Sequence, residues 1–287
     1  MSGTRRDFLS GTVGAMTATA LSARFLKATP ARAGEGKTGL KVGGCTVELE
    51  EGVRCGLDGV EVRVGGPADR LEISRPEVRR QYKDRMAKTG LPISSLMMGL
   101  LNDCALATDP RAPGWLEQSI DAAHDLGAKV ILVAFFANGD LLGSDGRVKE
   151  SDVDSVVSRL KAVAPRARDA GVILGIENYL NAEQNARILD RIAHDSVKIY
   201  YDCFNTGGTK GYDVPAEIRF LKDRIAQFHF KNGPDYLETG KLRYAPIAAA
   251  IKEIGYRGWI VLETSNPSHD AVADVKRNAE YTRELFA

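Results

Sequence analysis

The chain has 287 residues, 44% hydrophobic and 27% charged, with a formal net charge of +1. That balance belongs to a soluble globular protein, and the near-neutral total gives no electrostatic case for nucleic acid or an anionic membrane surface, although a local patch can hide in a neutral total. The length is long for one ordinary domain but normal for an α/β barrel.

The first 33 residues read as a targeting segment. Thr4-Arg5-Arg6-Asp7-Phe8-Leu9 has the form of a twin-arginine export signal, and a weakly apolar stretch follows from Gly11 to about Ala23. Ala31-Arg32-Ala33 then places small residues at the two positions a signal peptidase reads. The expected organisation is a signal over 1–33 and one barrel domain over 34–287, in a periplasmic or secreted protein. No later stretch approaches the roughly 18 apolar residues of a membrane span, so stable membrane insertion is not expected. Cys45, Cys55, Cys104 and Cys203 have no CxxC spacing, which argues against structural zinc. Their spacing does not reveal any disulfide pairing.

From Leu40 onward, short apolar runs alternate with helix-length amphipathic ones. Strands are expected at 40–43, 59–64, 92–97, 129–134, 172–176, 197–201, 225–230 and 259–262. The helices between them are expected at 47–55, 75–89, 115–126, 152–169, 181–193, 214–221 and 244–254, with a last one at 271–286. Their apolar positions fit a 3.6 period, as Val153, Val156, Val157, Leu160 and Val163 show. Gly90, Gly127 and Gly255 follow helices as stop signals. The stretch with Gly207, Gly208 and Gly211 reads as a loop. Eight buried strands, each followed by a helix, predict a parallel sheet closed into a (β/α)8 TIM barrel.

Four consecutive strands end in a potential metal ligand: Glu177, Asp202, His229 and Glu263. In such barrels the strand C-termini form the active-site face, so the four should converge around half of the mouth. Three carboxylates crowded together repel one another and resist burial. A divalent cation relieves both problems. One nitrogen and three carboxylates, without thiolate, suit Mn²⁺ or Mg²⁺, with Co²⁺ or Zn²⁺ as alternatives. Cys203 neighbours Asp202, but strand alternation turns it to the other side.

With those four strand ends in place, the phrases Gly-Ile-Glu-Asn, Tyr-Asp-Cys-Phe-Asn, His-Phe-Lys-Asn and Leu-Glu-Thr resemble motifs of the xylose isomerase-like barrel superfamily. Asp58-Gly59-Val60-Glu61 similarly resembles its second strand. The resemblance covers essentially all of the chain after the signal. It implies one divalent ion, most often Mn²⁺, held by Glu177, Asp202, His229 and Glu263, with the two glutamates also acting as acid and base on a sugar. It also marks a departure. The ketose epimerases of that superfamily carry a histidine three residues after the metal aspartate, where this chain has Asn205. Asparagine hydrogen-bonds a hydroxyl but does not shuttle protons at neutral pH.

Further candidates for substrate contact are Lys231, on the same side of its strand as His229, and Asn178, Glu61, Phe136 and His269. Arg63 stands near Glu61, and Trp115, Phe135 and Trp259 are other aromatic candidates. His124 and His194 are expected to be structural or solvated. The expected function is a metal-dependent sugar isomerase or epimerase that abstracts a proton next to the carbonyl of a free sugar or keto-sugar. The runner-up is a lyase or hydratase acting on 3-keto-glycosides or inososes. A sugar-binding barrel without turnover and an abasic-site endonuclease are remoter alternatives. The expected partner is a small-molecule sugar, with no nucleic acid, and self-association into a homo-oligomer is left open.

Overall fold

A computed structural model describes residues 39–287. The expected export signal lies outside the described residues. Eight strands run in chain order around a closed, all-parallel barrel. They are β1 (Lys41–Gly44), β2 (Gly59–Arg63), β3 (Ile93–Met98), β4 (Val130–Ala134), β5 (Ile173–Glu177), β6 (Val197–Asp202), β7 (Ile225–Phe230) and β8 (Trp259–Leu262). The helices that follow them are α1 (Leu49–Arg54), α2 (Pro76–Thr89), α3 (Ala112–Leu126), α4 (Glu150–Asp169), α5 (Ala182–Ile192), α6 (Val214–Leu221), α7 (Tyr244–Glu253) and α8 (Ala271–Phe286). β1 pairs with β8 through Val42 and Ile260, which closes the ring.

Local chemistry sets the helix ends. Pro76 opens α2, where a missing N–H costs nothing, and Gly90 closes it in the left-handed region. Asn181 caps α5 by accepting from the Gln184 N–H while the Gln184 side chain returns the bond. Asp213 and Asp270 cap α6 and α8 in the same sense. Each helix then lays its apolar stripe on the strands. Leu116, Ile120 and Leu160 are buried against outward-facing Leu96, Ile131 and Leu174. Each such side chain contributes about 1.5–3 kcal/mol on burial. Cys203 belongs to this outer layer, as strand alternation predicts. No described helix is long and apolar enough to cross a membrane, and Cys45, Cys55, Cys104 and Cys203 form no disulfide.

Inside the ring the character changes with height. The Trp259 ring covers the floor. A Cβ on Gly59 would lie 2.6 Å from that ring, so glycine is what admits the indole. Trp259 is therefore packing at the N-terminal end, with Lys41 over its face. Above it, Gly175 makes room for Tyr200, whose Cβ would stand 3.0 Å from an added methyl. Met97, Val130, Leu132, Ala134 and Tyr200 form a separate inner apolar cluster. The upper end is polar.

The one element that departs from expectation follows β6. The glycine-containing stretch read as a loop is a π-helical turn, Phe204–Lys210. Asp202 organises it: its Oδ1 accepts the Asn205 N–H at 2.7 Å, and its carbonyl accepts the Thr206 hydroxyl at 2.9 Å. Gly208 is required because a Cβ there would collide with the Phe204 ring. Such turns often occur at functional sites.

Candidate metal and active site

Glu177 ends β5 and Asp202 ends β6, His229 is the register partner of Asp202 on β7, and Glu263 stands one residue beyond β8. The Glu263 N–H donates to the Phe230 carbonyl at 3.0 Å, which extends the ladder far enough to aim its side chain inward. One donor atom from each of the four lies within 4.8 Å of the others. His229 Nδ1 is 3.3 Å from Glu177 Oε1, 3.4 Å from Glu263 Oε2 and 3.9 Å from Asp202 Oδ2. Donors so spaced can share an ion at roughly 2.0–2.4 Å from each. Asp202 Oδ2 is buried without a hydrogen bond. Lys231 Nζ stands 3.0 Å from it, poorly aligned, while donating at 2.7 Å to Glu263 Oε2. An orphaned buried oxygen, three carboxylates and an inward imidazole fit a divalent cation.

The electrostatics follow from crowding. Burial, reinforced by Glu263 and Asp202 and opposed by His229, pushes Glu177 up to about 7. Asp202 is also raised by burial, against the pull of Lys231. Burial would raise Glu263 too, but His229 and Lys231 outweigh it and hold this carboxyl below its ordinary value. Burial opposes charge on His229 and Lys231, yet the surrounding carboxylates raise both. One glutamate is thus poised near neutrality and the other stays ionised.

Beneath His229 lies a buried polar layer. Gln227 Nε2 donates to the Ser95 hydroxyl at 2.7 Å and to the Tyr200 hydroxyl at 2.8 Å. Both hydroxyls therefore turn their protons to Glu61 Oε2, at 2.6 and 2.8 Å. The other oxygen of Glu61 lies 3.1 Å from His229 Nε2. With Nε2 turned to Glu61, Nδ1 is the ring atom that faces the cluster, and a cation there would displace the proton it carries. This is the carboxylate–histidine support common behind metal sites. Cys45, half-buried beside Glu61 and His229, has its thiol pushed up to about 11 by desolvation and stays neutral.

A cavity of about 170 Å³ opens above the cluster, lined by Glu177, Glu263, Asn205, Lys231 and Phe136 together with Met97, Asn102 and Tyr179. Asn205 Nδ2 is 3.4 Å from Glu177 Oε1. Phe136 meets Tyr179 edge to face at 4.8 Å. Three sequence candidates sit elsewhere. Asn178 turns away to bond Asn185 and the Leu180 N–H. Glu61 is covered by His229 and reaches no cavity wall. His269 is exposed in the turn before α8. Trp115 and Phe135 are core residues, and Arg63 lines a neighbouring cavity. His124 and His194 bond nearby backbone, as the Ala170 carbonyl and the Ser196 N–H show. Sequence reasoning did not find Ser95, Tyr200, Gln227 or Tyr179. The spacing of two that relates Gln227, His229 and Lys231 was the available signal for Gln227.

A closed parallel barrel with carboxylates and an imidazole converging at its C-terminal rim defines an α/β barrel with a candidate site where such folds carry theirs. The chain belongs to the xylose isomerase-like TIM barrel family, whose model matches residues 49–285. No curated protein sequence matches it. Among solved structures it is similar to a D-allulose 3-epimerase from Methylomonas sp. in complex with D-allulose, with a TM-score of 0.72 and 18% identity over 88% of this chain and 99% of that one. An L-ribulose 3-epimerase superposes with a TM-score of 0.71 at 22% identity, covering 86% and 94% of the two chains. A 3-keto-D-glucoside 4-epimerase from E. coli gives 0.71 at 15% identity, covering 85% and 99%. At these identities the likeness is one of fold.

Proposed function

We propose that the protein is a divalent-metal-dependent sugar epimerase or isomerase that moves a proton at a carbon next to a carbonyl. The observation that carries the reading is the Glu177–Asp202–His229–Glu263 cluster, with both glutamates on the wall of one cavity. Resemblance to sugar epimerases of the same fold supports it. Mn²⁺ is the cation proposed, held by those four residues. When bound, it would draw electron density from the carbonyl and hydroxyl oxygens of a sugar and acidify the C–H between them.

The residues divide the remaining work. One of Glu177 and Glu263 takes the proton and the other returns one, each through an oxygen the cation leaves free; the reverse reaction exchanges their roles. Lys231 is held charged beside Glu263 and offers an N–H to the substrate oxygen on which negative charge develops. Asn205 hydrogen-bonds a hydroxyl without competing for the proton. Phe136 and Tyr179 form a wall that limits water. Asn205 also favours a second reading, β-elimination from a keto-sugar, which needs the same base and no proton shuttle at that position. Export through an N-terminal signal is part of the proposal and makes a free sugar or keto-sugar the expected substrate rather than a sugar phosphate.

The test is incorporation of deuterium from heavy water into sugars and keto-sugars in the presence of Mn²⁺. Exchange at a carbon next to the carbonyl supports the reading; no exchange across a broad panel ends it. Elemental analysis should return one metal per chain.

A further inference from the structure

Beside the mouth lies a larger cavity that the proposed chemistry leaves unused. It measures about 430 Å³, against about 170 Å³ above the ligand cluster. Small-molecule sites commonly span about 300–1,000 Å³, so the mouth alone is small and its neighbour falls inside the range. The two spaces adjoin. Gly99 lines both. Arg63, on the wall of the larger one, is the register partner of Met97, on the wall of the smaller. The short turn Gly99–Asn102 divides them, with Leu100 on the outer side and Asn102 on the inner.

The outer cavity has the chemistry of a saccharide site. Arg63, Glu72 and Asp103 present planar hydrogen-bonding groups of a kind that match neighbouring hydroxyls. Tyr82, Val78 and Pro67 supply the apolar surface that the C–H face of a pyranose covers. Among the described residues, the Arg63 guanidinium makes no ion pair or hydrogen bond, so its donors are free for a ligand. Two carboxylates against one guanidinium disfavour an anionic occupant and leave a neutral sugar.

We propose that this cavity is a second saccharide subsite, and that the substrate is a glycoside rather than a monosaccharide. The reacting keto-sugar ring sits at the ligand cluster, a placement that rests on the proposed function. The linked neutral ring sits against Arg63 and Tyr82, and the glycosidic bond crosses over Gly99. A Cβ built on Gly99 meets only Met97 Sδ, at 3.6 Å. Glycine therefore keeps the crossing open, and a branched side chain there would stand in it.

The experiment compares a keto-hexose with the disaccharide that carries the same keto-hexose, by deuterium exchange with Mn²⁺ present. The unaltered protein should favour the disaccharide in kcat/KM by at least about tenfold, carried by KM. Arg63→Met should remove most of that preference, and Gly99→Val should slow the disaccharide. Equal kcat/KM on the two substrates, or an Arg63→Met variant that retains the preference, would overturn the subsite. If neither sugar exchanges, the reaction assigned above has failed, and calorimetry with a non-reactive disaccharide and its monosaccharide decides the subsite separately. Tighter disaccharide binding that Arg63→Met abolishes sustains it; equal binding of the two sugars overturns it.

Discussion

Strands β5–β8 and strands β1–β4 build one ring, but they bring different surfaces to its rim. The first set delivers Glu177, Asp202, His229 and Glu263, all within reach of one ion. The second delivers Met97, Ala134 and, one level down, Leu132, and beyond them the larger cavity. The charged half is rigidly determined, because every carboxylate there is held by another charge or by the backbone. At the mouth the other half is apolar, with Met97, Leu132 and Ala134 presenting shape rather than charge to the cavity. On the proposed function, one side of the ring would concentrate reactivity, while the other, with its neighbouring cavity, would set what is admitted. The inner polar layer belongs to the charged half energetically, although Glu61 and Ser95 come from β2 and β3. Their contacts with Tyr200, Gln227 and His229 cross the barrel interior.

The largest expected effects fall on the charged half. Glu177→Gln and Glu263→Gln should each lower proton exchange by about 10²–10⁴-fold, with circular dichroism unchanged; loss of less than tenfold in both would place the chemistry elsewhere. Chelation should abolish exchange, and Mn²⁺ should restore it. Next comes the support beneath His229. Glu61→Gln should weaken cation affinity by about 10–100-fold, read by titration with Mn²⁺. A variant that binds as tightly as the unaltered protein would show that the imidazole needs no such partner.

A pH titration sharpens the contrast further. Glu177 is held up near 7 by burial and by its carboxylate neighbours. Below that pH a cation must displace its proton, so cation affinity should rise as pH climbs from about 5 to 7 and then lose its dependence on this group. Proton release on binding should shrink over the same interval, and Glu177→Gln should flatten both curves.

The smallest effect on reactivity belongs to the apolar half. Met97→Ala should change kcat/KM within about tenfold and leave Mn²⁺ affinity untouched. An effect on cation binding there would dissolve the distinction between the halves. A separate stability test concerns the floor. Gly59→Ala should destabilise the fold by about 1–3 kcal/mol by forcing its methyl against Trp259 and the Pro92 carbonyl, seen as a lower denaturation midpoint.

Much of this was legible in the chain itself. The bounds of β7, β8 and α8 coincide with those read from the apolar runs, because each run is flanked by breakers or charges. The four strand-end residues converge because barrel topology brings consecutive strand tips together, whatever their separation in sequence. What stayed hidden depends on partners distant in the chain. Tyr200 and Glu61 are 139 positions apart, and Gln227 and Ser95 are 132 apart. A period of two says which side of a strand a residue faces, but not which residue it meets across the ring. Asn178 shows the same limit in reverse: it adjoins Glu177 in sequence, and strand alternation carries its side chain out to Asn185. The π-helical turn was hidden because glycines read as a loop until the Asp202 carboxylate is seen to gather the backbone around itself.

The Trp259 floor has a consequence for proton traffic. With the indole filling the N-terminal end and Gly59 fitted against it, the buried Ser95–Tyr200–His229 layer, whose protons turn to Glu61, reaches solvent by way of the rim. A sugar seated at that rim closes the remaining end. During a catalytic cycle the barrel would then hold a small, sealed inventory of protons. Because one glutamate lifts a hydrogen and the other returns a different one, both would re-equilibrate with the medium through the open rim between turnovers, and the rate at which deuterium enters the sugar would report the opening of that single end.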